Sequence, residues 1–114
     1  DYTNTFCHLM NFKIKENHIY EDINFSNWKK RWEERLMENN NSYQKCMNIM
    51  KKMNPLVIPR NHQIEEVLKE ASQGNLDPLN KFFETLNNPY SDHKNISKYQ
   101  LPNSNENYQT FCGT

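Results

Sequence analysis

The residues of this 114-residue chain with the chemistry for a site are three cysteines, four histidines and a Pro59–Arg60–Asn61–His62 run. A metal centre needs ligands at short, repeated spacings, as in CxxC, HxxxH or HExxH. None occurs. Cys7 is next to His8, while Cys46, His62, His93 and Cys112 stand alone along the chain. Two solitary glycines cannot build a phosphate-cradling loop. No serine or cysteine carries the local signature of an activated nucleophile. The sequence therefore offers no catalytic, cofactor-binding or metal-binding residue, and the segment reads as catalytically empty.

Three weaker candidates remain. Arg60 with Asn61 and His62 could clamp a phosphate or carboxylate where a helix dipole favours anions. The structural alternative makes Asn61 a helix cap and Arg60 an ion-pair partner, so that the three anchor the helix start; the residues alone favour it. Trp28–Lys29–Lys30–Arg31–Trp32 mixes cations with aromatics. Its spacing is expected to turn the tryptophans into a core and leave the cations solvated, paired with Glu33 and Glu34. Cys112 is a candidate redox thiol, although exposure alone does not lower a thiol pKa. Cys46 falls on an apolar stripe and reads as a small buried hydrophobe, and Cys7 has no clear place.

Helices must position these groups. Tyr2, Phe6, Leu9 and Met10 line one face of a first helix, and a second is expected from a Ser26 cap to about Glu38. Tyr43, Cys46, Met47 and Met50 give a third stripe that Asn54–Pro55 ends. Leu56–Val57–Ile58, between two prolines, is expected to be a buried extended strap. Ile64, Val67, Leu68 and Ala71 mark a fourth helix that Gly74 closes in a left-handed turn. Asp77–Pro78 opens a fifth, with Leu79, Phe82, Phe83 and Leu86 on its face and Asn88–Pro89 at its end. The last two should form an antiparallel hairpin. The fold class is mainly α: about five helices over residues 1–89, then an irregular tail over residues 90–114.

Composition sets outer bounds. The hydrophobic share is 35%, Lys+Arg and Asp+Glu each total 14, and nineteen residues are asparagine. A zero net charge argues against a general nucleic-acid binder or a polybasic membrane-surface protein. No apolar run approaches the ~18 residues of a membrane span. An odd, scattered set of cysteines does not make a secreted disulfide framework, so an intracellular compartment is expected. The start at Asp1 and the polar tail suggest a piece of something larger.

Met53–Asn54–Pro55, Ile58–Pro59–Arg60–Asn61–His62, Glu65–Glu66 and the closing Tyr108–Gln109–Thr110–Phe111–Cys112–Gly113–Thr114 together resemble the C-terminal end of the selenoprotein O family. The order of the intervening elements fits along essentially the whole chain. The resemblance implies the C-terminal helical part of a protein-kinase-like fold in a protein adenylyltransferase. Such an enzyme transfers AMP from ATP, with Mg²⁺ or Mn²⁺, to Ser, Thr or Tyr hydroxyls of target proteins. The family's nucleotide- and metal-binding residues have no matching positions here, so none is carried over. Cys112 looks like the family's tail cysteine, which the resemblance implies can form a regulatory disulfide with the kinase-like body. The implied partners are the rest of that polypeptide and its protein substrates. The implied compartment is the cytoplasm in a bacterium or the mitochondrion in a eukaryote. The competing expectation, from another functional class, is a non-enzymatic helical module that binds a protein through Trp28, Trp32 and Phe82/Phe83.

Overall fold

The computed structural model describes residues 1–14, 18–38, 42–92, 94 and 96–104. Cys112, His93 and the Tyr108–Thr114 block lie outside the described residues. Six α-helices and one 3-10 turn occur among the described residues, with no strand. The helices are α1 (Tyr2–Leu9), α2 (Ile23–Glu38), α3 (Tyr43–Met53), α4 (Asn61–Ser72), α5 (Asp77–Asn87) and α6 (Ile96–Gln100). The 3-10 turn spans His18–Glu21. Contacts divide the chain into two units, Tyr2–Pro55 and Leu56–Thr114 with Asp1.

In the first unit, α1 buries the Leu9–Met10 end of the expected face and leaves its Tyr2 end open. Cys7, Leu9 and Met10 are buried together with Asn4, while Tyr2 is exposed and rests its ring on Phe6. Asn11 closes the helix at φ 66°, a left-handed conformation that asparagine tolerates. The Asn11 N–H donates to His8 O and the Phe12 N–H to Cys7 O, which is the Schellman pattern that satisfies the last carbonyls. Asp22, not Ser26, caps α2: its Oδ1 accepts the N–H groups of Asn24 and Phe25 at 2.8 and 3.2 Å. Ser42 caps α3 by accepting from the Lys45 N–H. At the far end Asn54 donates both its backbone N–H and its Nδ2 to Met50 O before Pro55 stops the helix. Cys46 is only half-buried, with Met47 the buried residue of its stripe.

The expected core placement of the tryptophans needs correction. No residue of α2 is buried, and Trp28 is 42% exposed. Trp32 is half-buried and stacks on Trp28 with centroids 6.3 Å apart. Lys29, Phe25 and Leu36 are half-buried on the same face as Trp32, so one of the cations sits with the aromatics rather than opposite them.

In the second unit Leu56 and Val57 of the strap are each 2% exposed, as expected, while Ile58 is only half-buried. Both backbone polar groups of Leu56 are satisfied. Its N–H donates to Pro89 O at 2.7 Å, and its carbonyl accepts from Gln100 Nε2 at 2.8 Å. Helices α4 and α5 pack on each other as the expected hairpin. Neither starts with a side-chain cap. Asn61 and Asp77 are the first helical residues, preceded by Arg60 and Leu76, whose side chains make no capping bond. The fifth-helix expectation of Pro78 in the first turn holds. A short sixth helix, α6, occupies part of the stretch expected to be irregular, and it buries Ile96, Tyr99 and Gln100.

Gly74 adopts φ +89° after α4, with its N–H on Ala71 O and the Asn75 N–H on Glu70 O, a second Schellman closure. A Cβ there would meet nothing within 4 Å, so only the backbone conformation resists a side chain. Gly74→Ala should lower stability by about 1 kcal/mol in a denaturant titration. No loss would mean that the turn relaxes out of its left-handed form.

Candidate functional site

The Arg60 side chain reaches back to Asp1. Nη2 lies 2.5 Å from Asp1 Oδ2, and the two side chains are only 13% and 17% exposed. Arg60 leads out of the Leu56–Ile58 strap with extended backbone and immediately precedes α4, which fixes where its guanidinium starts. One turn on, buried Gln63 sends Nε2 to Lys98 O at 3.1 Å. Gln100 holds Leu56 O from the same helix, α6. Two amide–carbonyl bonds thus join strap, α4 and α6, while the guanidinium–carboxylate pair ties the start of α4 to Asp1. Asn61 is exposed and His62 half-buried in the first turn of α4. The amides Gln63 and Gln100 escape sequence reading, since a lone glutamine carries no spacing signal that separates a buried clamp from a surface residue.

In the first unit His8, Tyr20, Phe25, Trp28 and Trp32 form a ladder of rings. His8 stacks on Tyr20 at 4.2 Å, Tyr20 lies 5.1 Å from Phe25, and Phe25 lies 5.7 Å from Trp28. The Tyr20 hydroxyl is 3.1 Å from Thr5 Oγ1. Beside the ladder is an open cleft of about 530 Å³, lined among others by His8, Phe12, Lys13, Tyr20 and Lys29. Lys51 adds its ammonium 5.7 Å from the Phe12 ring centre.

Two histidines have depressed pKa values. Burial lowers His8, and the nearby Lys29 ammonium lowers it further. Burial also lowers His62, with Arg60 acting in the same direction and Glu66 and Glu65 opposing. The ordinary value is 6.5. Between the folded value and 6.5 the unfolded chain binds more protons, so stability falls as pH drops through that window and levels off below it. Denaturant midpoints at about pH 7.5 and about pH 5.5 should differ, with the acid one lower. His8→Gln with His62→Gln should remove most of the difference; an unchanged difference would assign it to other groups.

The described residues contain no group of three or more His, Cys, Asp or Glu placed to hold a metal ion. None of their helices is long and apolar enough to cross a membrane. Of the site residues of the sequence reading, Arg60, Asn61 and His62 stay contiguous at one helix start, and Cys112 lies outside the described residues. What this geometry builds is a clamp of strap to helices.

Comparison with known proteins gives that clamp its setting. The family model for the protein adenylyltransferase SelO matches residues 1–87. The chain belongs to the SelO family. Relatives named protein nucleotidyltransferase YdiU align with the whole SelO-family segment. The one from Pelagibacter ubique is 45% identical over 116 residues, covering 100% of this chain and 24% of that protein. Those from Clostridium perfringens and Bacillus cereus are 39% and 38% identical, again covering 100% of this chain and 24% of each relative. The segment therefore spans about a quarter of the length of the curated SelO-family relatives it matches. No solved structure matches it.

Proposed function

We propose that this chain is the C-terminal helical part of a protein nucleotidyltransferase that moves AMP from ATP onto Ser, Thr or Tyr hydroxyls of other proteins. The observation that carries the reading is the end-to-end match to protein nucleotidyltransferase YdiU of Pelagibacter ubique at 45% identity. In such a transfer the acceptor hydroxyl oxygen bonds to the α-phosphorus, the bond to the bridging oxygen breaks, and pyrophosphate leaves with the hydroxyl proton lost to a base. A divalent cation, Mg²⁺ or Mn²⁺, would neutralise the phosphates. The nucleotide and metal are proposed to bind in the portion of the polypeptide beyond this segment, since the family's nucleotide- and metal-binding residues have no matching positions here. The surrounding protein in a kinase-like fold and the AMPylated targets are its proposed partners. The role of the segment is support: the strap, Arg60, Gln63 and Gln100 hold its helices in a fixed arrangement against the catalytic part. The Cys112 thiol is proposed as a redox-regulatory group that pairs with a cysteine of that part.

The reading is tested with labelled ATP and Mg²⁺ or Mn²⁺. The longer polypeptide should incorporate AMP into protein, whereas the 114-residue chain alone should incorporate none. Absence of transfer by the longer polypeptide, with and without reductant, would overturn the transferase reading. Trp28 and Phe83 are exposed, and a helical protein-binding module would then be the better account.

A further inference from the structure

The α4–α5 hairpin carries more apolar surface than its own neighbours cover. Each helix has a stripe two residues wide, Val67 beside Leu68 and Phe82 beside Phe83. One edge is closed: Val67 and Phe82 are each 4% exposed, and the Phe82 ring lies 5.2 Å from Tyr99 of α6. The other edge is open. Leu68 is 53% exposed and Phe83 63%, and Leu76, in the turn between the helices, is 55% exposed. Two adjacent positions of one residue type, Phe82 and Phe83, thus face opposite fates.

The size of the open edge bears on what covers it. Three such side chains leave on the order of 300 Å² of apolar surface. A separate protein or a second copy docking stably needs about 800 Å² per partner, of which roughly 450 Å² is apolar, because association must offset lost translational and rotational freedom. A surface belonging to the same polypeptide faces a smaller entropic cost, since the connecting chain holds the local concentration high. About three quarters of the relatives' length lies outside the segment that this chain matches.

We infer that the Leu68–Leu76–Phe83 edge of the hairpin is an intramolecular docking face, covered by an apolar surface of the remaining polypeptide. The inference rests on the reading of the chain as part of a longer nucleotidyltransferase, and it names where that reading makes its contact.

The test is hydroxyl-radical footprinting of the intact longer polypeptide, with Phe82 and Phe83 resolved in the fragment spectra. Phe83 and Leu68 should be oxidised as slowly as buried Phe82 and Val67, and several-fold faster once the protein is denatured. Phe83→Asp in the same polypeptide should lower its thermal midpoint; should that variant fail to fold, the footprint of the unmodified protein decides. Oxidation of Phe83 at the rate of an open side chain would overturn the docking face. So would protection that disappears on dilution, which would mean a second copy covers the edge. AMP transfer measured on the same preparation separates the two ideas. Protection without transfer overturns the transferase reading alone, and transfer with an open Phe83 overturns the docking face alone.

Discussion

Phe82→Ala should cost about 3–5 kcal/mol of stability, while Phe83→Ala in the isolated chain should cost less than about 1 kcal/mol. The two residues are adjacent, identical in type and in the same helix, so helix propensity cancels in the comparison. What differs is packing. Phe82 is 4% exposed and meets the Tyr99 ring, whereas Phe83 is 63% exposed. Removing the Phe82 ring deletes buried surface and leaves a cavity bounded by α6, a five-residue helix too short to stand alone. Loss of α6 packing should release Gln100 from Leu56 O and Gln63 from Lys98 O, so the Phe82 effect should sit at the upper end of the range. Urea titration followed by far-ultraviolet circular dichroism measures both variants. Equal losses would mean that the hairpin packs through its other edge.

The same hairpin shows why part of the fold is legible from sequence. Ile64, Val67, Leu68 and Ala71, then Leu79, Phe82, Phe83 and Leu86, repeat the helical period, and Gly74, Pro78 and Pro89 punctuate it with fixed backbone chemistry. Periodicity reports which stripe is apolar, though not which edge of the stripe is covered, because the cover comes from α6 residues distant in sequence. In α1 the expectation holds for Leu9 and Met10 and misses the rest for another reason. Its inward face also includes Asn4 and Cys7, and counting apolar residues adds the exposed Tyr2 instead. In α2 the bulk of two tryptophans suggests a core, yet Trp is large and often keeps part of its surface in water. Ser26 looks a better cap than Asp22 only if Ile23 and Phe25 are taken as loop residues. The α6 helix is too short and polar to announce itself by period.

The candidate site divides along similar lines. The unusual polar cluster at Arg60 is visible in the sequence, but the ion pair joins it to Asp1, far away along the chain, and no local pattern selects that partner. Gln63 and Gln100 have no charge, no motif and no periodicity. They matter because each caps a backbone carbonyl that the irregular strap and the short helix leave without a ladder partner. The strap itself is legible since prolines flank three apolar residues. Its hydrogen-bond partners are not.

Arg60→Ala should destabilise the protein by about 1–3 kcal/mol, between the loss expected for an exposed pair and that for a fully buried one. The side chains of Arg60 and Asp1 are 13% and 17% exposed, so water can reach a stranded Asp1 carboxylate only in part. Asp1→Asn should lose less than Arg60→Ala, because a neutral amide tolerates the partly buried position, and the double substitution should recover part of the Arg60→Ala loss. Arg60→Lys retains the charge but not the planar fork and should fall between. The same variants in the longer polypeptide distinguish the two roles open to Arg60. A supporting role lowers the thermal midpoint and leaves the KM for ATP unchanged at temperatures where the variant is folded. A phosphate-clamping role raises that KM while the thermal midpoint barely moves, and it predicts no recovery from Asp1→Asn. The pairing with Asp1, the extended backbone running into α4 and the two glutamine clamps beside it all favour the first outcome.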